Sequence, residues 1–165
     1  MAAYIALETA MRAGDVAASR AALGDDPSFP NLCDPYTDTP LLALALHRAP
    51  TETVAELLRL GADPNFEALD GFPALVLLAH HGREGRHELM RLLIEAGADL
   101  DAHGFNDWTP LHTAVNANDA EAVAVLLAAG ADPSVRTRID DLETPLEQAV
   151  TAGYSGCVEV LRGHG

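Results

Sequence analysis

One five-residue turn recurs three times along the chain, as Gly61-Ala62-Asp63-Pro64-Asn65, Gly97-Ala98-Asp99-Leu100-Asp101 and Gly130-Ala131-Asp132-Pro133-Ser134, at intervals of 36 and 33 residues. A second series interleaves with it in register: Thr39-Pro40-Leu41, Thr109-Pro110-Leu111 and Thr144-Pro145-Leu146, with Pro73-Ala74-Leu75 in the slot between the first two. Self-similarity at such a period restricts the fold to a row of like units, each of which buries its apolar face only against its neighbours.

The two series start and stop helices. Threonine before proline places an N-cap hydroxyl beside a residue whose fixed φ suits the first helical turn and whose missing N–H is not needed there. Glycine after Leu57-Leu58-Arg59-Leu60 and after Leu126-Leu127-Ala128-Ala129 supplies the left-handed conformation that ends a helix. Each unit therefore reads as helix, short turn, helix, loop. The first helix is short and rich in alanine, and the second carries a bulkier Val/Leu stripe, so stacked units share one core.

On these residues the chain resembles the ankyrin-repeat proteins, whose motif begins Thr-Pro-Leu-His and closes Gly-Ala-Asp before an Asn. Thr109-Pro110-Leu111-His112 followed by Gly130-Ala131-Asp132 matches both the motif and its spacing. The resemblance implies an all-α ankyrin-repeat solenoid of helix-turn-helix units with projecting loops, running as one domain over 1–165 in units of about 3–28, 34–65, 69–101, 105–134 and 139–165. The first unit lacks Thr-Pro-Leu and has a short second helix, as expected of an end cap, and the fifth is expected to serve as the other. The second unit carries an extra residue around Ala49-Pro50. The third is the least regular, with Phe72-Pro73-Ala74-Leu75 at its start and extra residues in Arg83-Glu84-Gly85-Arg86-His87 between its helices.

The resemblance also implies that a partner protein is bound by the loop tips and the exposed side of the first helices, which form one concave face. That assignment puts Pro35, Tyr36 and Asp38 at the tip before the second unit, and Leu69, Asp70 and Phe72 before the third. Phe105, Asn106 and Trp108 form the next tip, and Asp140, Asp141 and Glu143 the last. The face continues onto the first helices through His47, His80, His81, Asn116 and Thr151. Tyr36, Phe72, Phe105 and Trp108 are the apolar anchors, and Phe72 and Trp108, one unit apart, form its centre between the third and fourth units. The alternative is that both rings fold inward over the ends of the first helices.

His47, His80 and His81 beside Asp70 raise the question of a metal or a proton relay. Adjacent helical residues point about 100° apart, so His80 and His81 do not converge on one ion, and the spacing is not a metal motif. Neither metal nor cofactor is expected. A small-molecule enzyme in the groove of the third and fourth units, with His80 or His81 and Asp70 as acid and base, is the alternative function. His112 belongs to the Thr-Pro-Leu-His motif, where the resemblance implies a structural role. His87, His103 and His164 read as solvated, and Cys33 and Cys157 as small packed apolar groups too far apart to bridge. Arg136 and Arg138 are expected to neutralise the acidic tip of Asp140, Asp141 and Glu143.

Composition decides the partner class. Twenty-five acidic residues against ten arginines, with no lysine, give a net charge of −15. Phosphate binding needs clustered cations, so nucleic acid is excluded and a basic protein surface is favoured. A regulator, inhibitor or immunity-type protein fits this description. The first 14 residues lack a basic leader, and no apolar run reaches membrane-spanning length, so a cytoplasmic monomer is expected, with self-association through a poorly capped end as the alternative.

Overall fold

The computed structural model describes residues 2–24, 26–34, 38–66, 71–80, 82–104, 107–137 and 142–164. Among them ten α-helices form five successive pairs: α1 (Ala2–Ala13) with α2 (Val16–Ala22), α3 (Leu41–Arg48) with α4 (Thr51–Arg59), α5 (Ala74–His80) with α6 (Arg86–Glu95), α7 (Pro110–Asn116) with α8 (Ala120–Ala129), and α9 (Pro145–Ala152) with α10 (Ser155–Gly163). First helices stack on first helices, as α5 on α7 and α7 on α9. Second helices stack on second helices, from α2 on α4 through α8 on α10. The described residues contain no strand, only an isolated bridge between Cys33 and Pro40. This is the all-helical solenoid expected from the repeats.

The core is continuous from pair to pair. Leu7 and Met11 of α1, Leu41 and Leu46 of α3, Leu57 of α4, Leu75 and Leu78 of α5, Leu89 and Leu93 of α6, Leu111 of α7 and Leu126 of α8 are all buried. All belong to one buried cluster, so truncating Leu57, Leu89 or Leu126 to alanine costs about 2–5 kcal/mol.

The helix signals act as their chemistry dictates at most positions. Thr109 and Thr144 are N-caps with reciprocal capping boxes, closed by His112 and Glu147. Helix α3 departs from this expectation: it begins at Leu41, with Pro40 at the N-cap and no side-chain cap bond, so Thr39 does not cap it. Asp15 and Asp119 cap α2 and α8. Gly61, Gly97 and Gly130 sit at φ 93°, 95° and 101°. The N–H groups of Ala62, Ala98 and Ala131 then donate back to Leu57, Leu93 and Leu126 at 2.9, 2.9 and 3.1 Å, closing each helix end.

The loops are tied to one another by a ladder of side-chain bonds. Asn31 donates to the Gly61 carbonyl (2.8 Å) and accepts from the Asp63 N–H (2.7 Å). Asn65 repeats this with the Gly97 carbonyl (3.0 Å) and the Asp99 N–H (2.7 Å). At the next step the residue is Asp101, which accepts from the Asp132 N–H (3.0 Å). A carboxylate has no donor, so the bond to the Gly130 carbonyl is not made.

The extra residues of the third unit have a structural use. Gly85, in the left-handed region at φ 74°, precedes α6, and Arg83 reaches back to the end of α3. Its guanidinium donates to the carbonyls of Ala45 (3.0 Å), Leu46 and Ala49. These carbonyls lie at the end of α3, where that of Ala45 also accepts from the Ala49 N–H (2.9 Å), and a cation there matches the helix dipole. Burial pushes the Arg83 pKa down from its ordinary value.

Candidate functional site

A polar concavity lies between the fourth and fifth pairs. It encloses about 590 Å³ and is lined by Trp108, His112, Asn116, Thr137, Glu143, Gln148, Thr151 and Ala152. Two helix faces supply it. His112 and Asn116, at i and i+4, come from α7, and Gln148, Thr151 and Ala152, at i, i+3 and i+4, come from α9. Trp108 enters from the residue before the Thr109 cap, and Glu143 from the residue before the Thr144 cap.

His112 forms its floor and is 1% exposed. Its Nε2 lies 3.0 Å from the Glu143 carbonyl oxygen. A carbonyl only accepts, so Nε2 carries the proton and Nδ1 is the acceptor facing the Thr109 hydroxyl at 2.8 Å. Burial holds the His112 pKa below the ordinary imidazole value. The ring is therefore a neutral link, in keeping with the structural role that the motif implies.

Glu143 is half-buried, and its Oε1 accepts from the Thr151 hydroxyl at 2.9 Å. Among the described residues no cation pairs with it. Arg136, expected beside it, instead donates to the Leu142 carbonyl (2.8 Å) and to Glu147 Oε1 (2.8 Å). The Thr144 N–H and Arg136 together lower the Glu147 carboxyl to about 2. The cause is the capping box: it turns Glu147 back over the loop, where it meets Arg136 first. Gln148 is half-buried, and its Oε1 is buried with no hydrogen-bond donor among the described residues.

Several expected surface residues are exposed as anticipated: Asp38, His47, His80 and Asn116. The two central aromatics are half-buried. Phe72 stacks on His80, with ring centroids 6.2 Å apart and planes 9° from parallel. It also stands close to Gly104, where a Cβ would come within 3.5 Å of the Phe72 ring. Trp108 lines the groove of the fourth and fifth pairs, which includes neither Phe72 nor His80. Tyr36, Asp70, His81, Phe105, Asn106, Asp140 and Asp141 lie outside the described residues, as does Arg138. A smaller groove of about 360 Å³ runs between α3 and α5, bordered by Leu46, His47, Leu77, Leu78 and Arg83.

Two expectations are corrected. His87 is not a solvated loop residue: it lies in the first turn of α6, half-buried, with Nε2 2.8 Å from Asp119 Oδ2 and Nδ1 3.2 Å from Glu121 Oε1. Arg86 donates to the same Asp119 oxygen at 2.7 Å. Burial alone would raise the Asp119 pKa, but hydrogen bonds from His87, the Ala122 N–H and Arg86 hold it below the carboxylate norm. The sequence signal for this network is Asp119 itself, an N-cap residue directly before an alanine-rich helix. Cys157 is buried, but Cys33 is exposed, because it lies on the loop before α3 and not in the stack. Among the described residues no three His, Cys, Asp or Glu side chains converge on a metal-sized site, and no helix is long and apolar enough to cross a membrane.

A family model of three ankyrin repeats matches residues 41–137 and again 84–165. The E3 ubiquitin-protein ligase KEG of Arabidopsis thaliana is 41% identical over 85 residues, 49% of this chain and 5% of that protein. Alpha-latroinsectotoxin-Lt1a of Latrodectus tredecimguttatus is 33% identical over 117 residues, 70% of this chain and 8% of the toxin. A putative ankyrin repeat-containing protein of Treponema pallidum is 32% identical over 101 residues, 61% of this chain and 33% of the relative. The chain spans a third or less of the length of each of these relatives. With the helix pairs, the capping boxes and these matches in hand, the chain belongs to the ankyrin-repeat family, whose repeats mediate protein–protein interaction.

Proposed function

We propose that the chain holds a partner protein of basic surface along the face made by α3, α5, α7 and α9, and that it acts as a regulator, inhibitor or immunity-type protein by covering that partner. The observation that carries this reading is the groove between α7 and α9. It joins the only tryptophan to a carboxylate, Glu143, that no cation among the described residues neutralises, on a chain of net charge −15. Complementary charge draws the partner in and fixes its orientation, and the rigid aromatic supplies contact area. The exposed polar positions His47, His80 and Asn116 extend the same face over three helix pairs.

Capture from the native cell lysate tests this directly, using wild type, Asn116→Arg on the concave side and Glu159→Arg on the exposed side of α10. Both substitutions change net charge in the same direction. A basic protein retained by wild type and by Glu159→Arg, but lost from Asn116→Arg and in high salt, is the expected result. Equal loss from both variants, or retention of an acidic partner, overturns the proposal.

A further inference from the structure

The groove between the fourth and fifth pairs carries a mismatch between what it offers and what it satisfies. Two acceptors stand on its lining residues: the Glu143 carboxylate, whose partner among the described residues is the Thr151 hydroxyl, and the Gln148 amide oxygen, which is buried and has no donor among the described residues. A buried acceptor without a donor costs about 1–3 kcal/mol, so its retention calls for an explanation. Among the described residues the lining contains no competing charge of the opposite sign. His112 is neutral, with its Nε2–H committed to the Glu143 carbonyl, and Arg136 is committed to Leu142 and Glu147. Trp108 stands at the groove wall, and its ring is the best aromatic partner for a delocalised cation.

These requirements select one ligand chemistry. An apolar side chain would strand both acceptors. An ammonium group would meet Glu143, but it is a compact, strongly hydrated point charge and stacks less well on an indole. A guanidinium brings five N–H donors in a planar fork, stacks on an aromatic ring and is weakly hydrated. The volume of about 590 Å³ admits such a side chain together with the backbone that carries it. A turn of the Gln148 amide about its terminal torsion, which is soft, brings its oxygen toward the incoming donors.

We propose that this groove receives an arginine side chain of the partner protein, stacked on Trp108, paired with Glu143 and donating to Gln148. The inference rests on the reading of the chain as a binder of a basic protein, and it assigns the contact point. Asn116 and Thr151 border the arginine's backbone.

Trp108 is the sole tryptophan, so its indole N–H gives one NMR signal that reports the groove. The experiment titrates purified protein with N-acetyl-arginine methylamide and, in parallel, with the lysine and citrulline counterparts. Citrulline keeps the shape of arginine and removes its charge. The expected result is a saturable shift with arginine, a weaker one with lysine and none with citrulline. Glu143→Gln and Gln148→Leu are each expected to weaken arginine binding about fivefold, the size of a partly exposed charge pair. A linear, unsaturable shift, an equal response to citrulline or to lysine, or unchanged binding in Glu143→Gln overturns the assignment. The comparison among ligands uses wild-type protein and does not depend on how well any variant folds. A basic partner still captured at full strength by Glu143→Gln would remove the arginine site and leave the broader function standing; a normal arginine titration with no face-dependent capture would do the reverse.

Discussion

The imidazole Nε2 of His112 sits 3.0 Å from the carbonyl oxygen of Glu143, so a side chain on the fourth helix pair is fastened to the backbone that opens the fifth. The same ring closes the capping box on Thr109. One buried residue thus sets both the start of α7 and the distance to α9. That distance is the width of the proposed arginine groove.

Replacing His112 by alanine removes both bonds and leaves a cavity, for an expected loss of about 2–4 kcal/mol in urea unfolding. The pH dependence follows from its lowered pKa. The unfolded chain takes up a proton near pH 6.5, whereas the folded ring resists until a lower pH, so this residue destabilises the fold as the pH drops below about 6.5. Melting temperatures measured between pH 7.5 and 5.5 should fall less steeply for His112→Asn than for wild type. Parallel slopes would show that His112 does not titrate in this way.

The loop ladder yields a stabilising substitution. Asn31 and Asn65 each donate to a glycine carbonyl and accept from an aspartate N–H, whereas Asp101 makes only the accepting bond. Asp101→Asn restores the donor opposite the Gly130 carbonyl and removes one negative charge from an acidic chain. An increase of about 0.5–1.5 kcal/mol in unfolding free energy is expected; a lower urea midpoint would mean that the carboxylate itself is what that loop needs.

The solenoid and its register were legible in the sequence because glycine, proline and threonine act locally: Gly130 ends α8 and Thr144 starts α9 through bonds that span only a few residues. The candidate site was legible only in part. Trp108, Asn116 and Glu143 line one groove, between α7 and α9, whereas the repeat positions set the centre of the face between the third and fourth units; which side chains share a groove depends on packing that spacing does not encode. Gln148 carried no signal, since an unsatisfied amide is visible only once its surroundings are known. His87 was misjudged because the longer linker before it displaces the start of α6, and its carboxylate partner lies 32 residues away.

Arg83 accounts for that longer linker. Substituting methionine keeps most of the aliphatic stem and removes the donors to Ala45, Leu46 and Ala49. A loss of about 2–3 kcal/mol is expected, with Arg83→Lys recovering only part of it because an ammonium cannot spread over three carbonyls in one plane. Amide exchange should accelerate at the end of α3 in Arg83→Met. Exchange that stays slow there would separate the linker from any role in holding α3.

Asp119, 7% exposed, serves two roles that substitution can separate. Asp119→Ser keeps an N-cap oxygen for α8 and loses the ion pairs to Arg86 and His87; Asp119→Ala loses both, and should be less stable than the serine variant by about 1 kcal/mol. Because its pKa is held down, the stability that Asp119 contributes is present above about pH 3.9 and is lost as the pH falls below that value toward the folded pKa. Acid unfolding of Asp119→Ser should therefore show a shallower pH dependence in this range than wild type. An identical acid transition would rule out the ion pairs as its source.

The ladder bonds, the Arg83 clasp and the His112 link each join residues 30 to 38 positions apart. Each reaches only to the next helix pair, so the cost of closing any one loop does not grow with the length of the stack. A chain built this way can begin to fold at any pair and spread outward, and it can fray from an end while the middle stays native. Its unfolding is accordingly a matter of how far a boundary has travelled along the stack, with the Leu89 and Leu126 layers between α6 and α8 the last to be crossed.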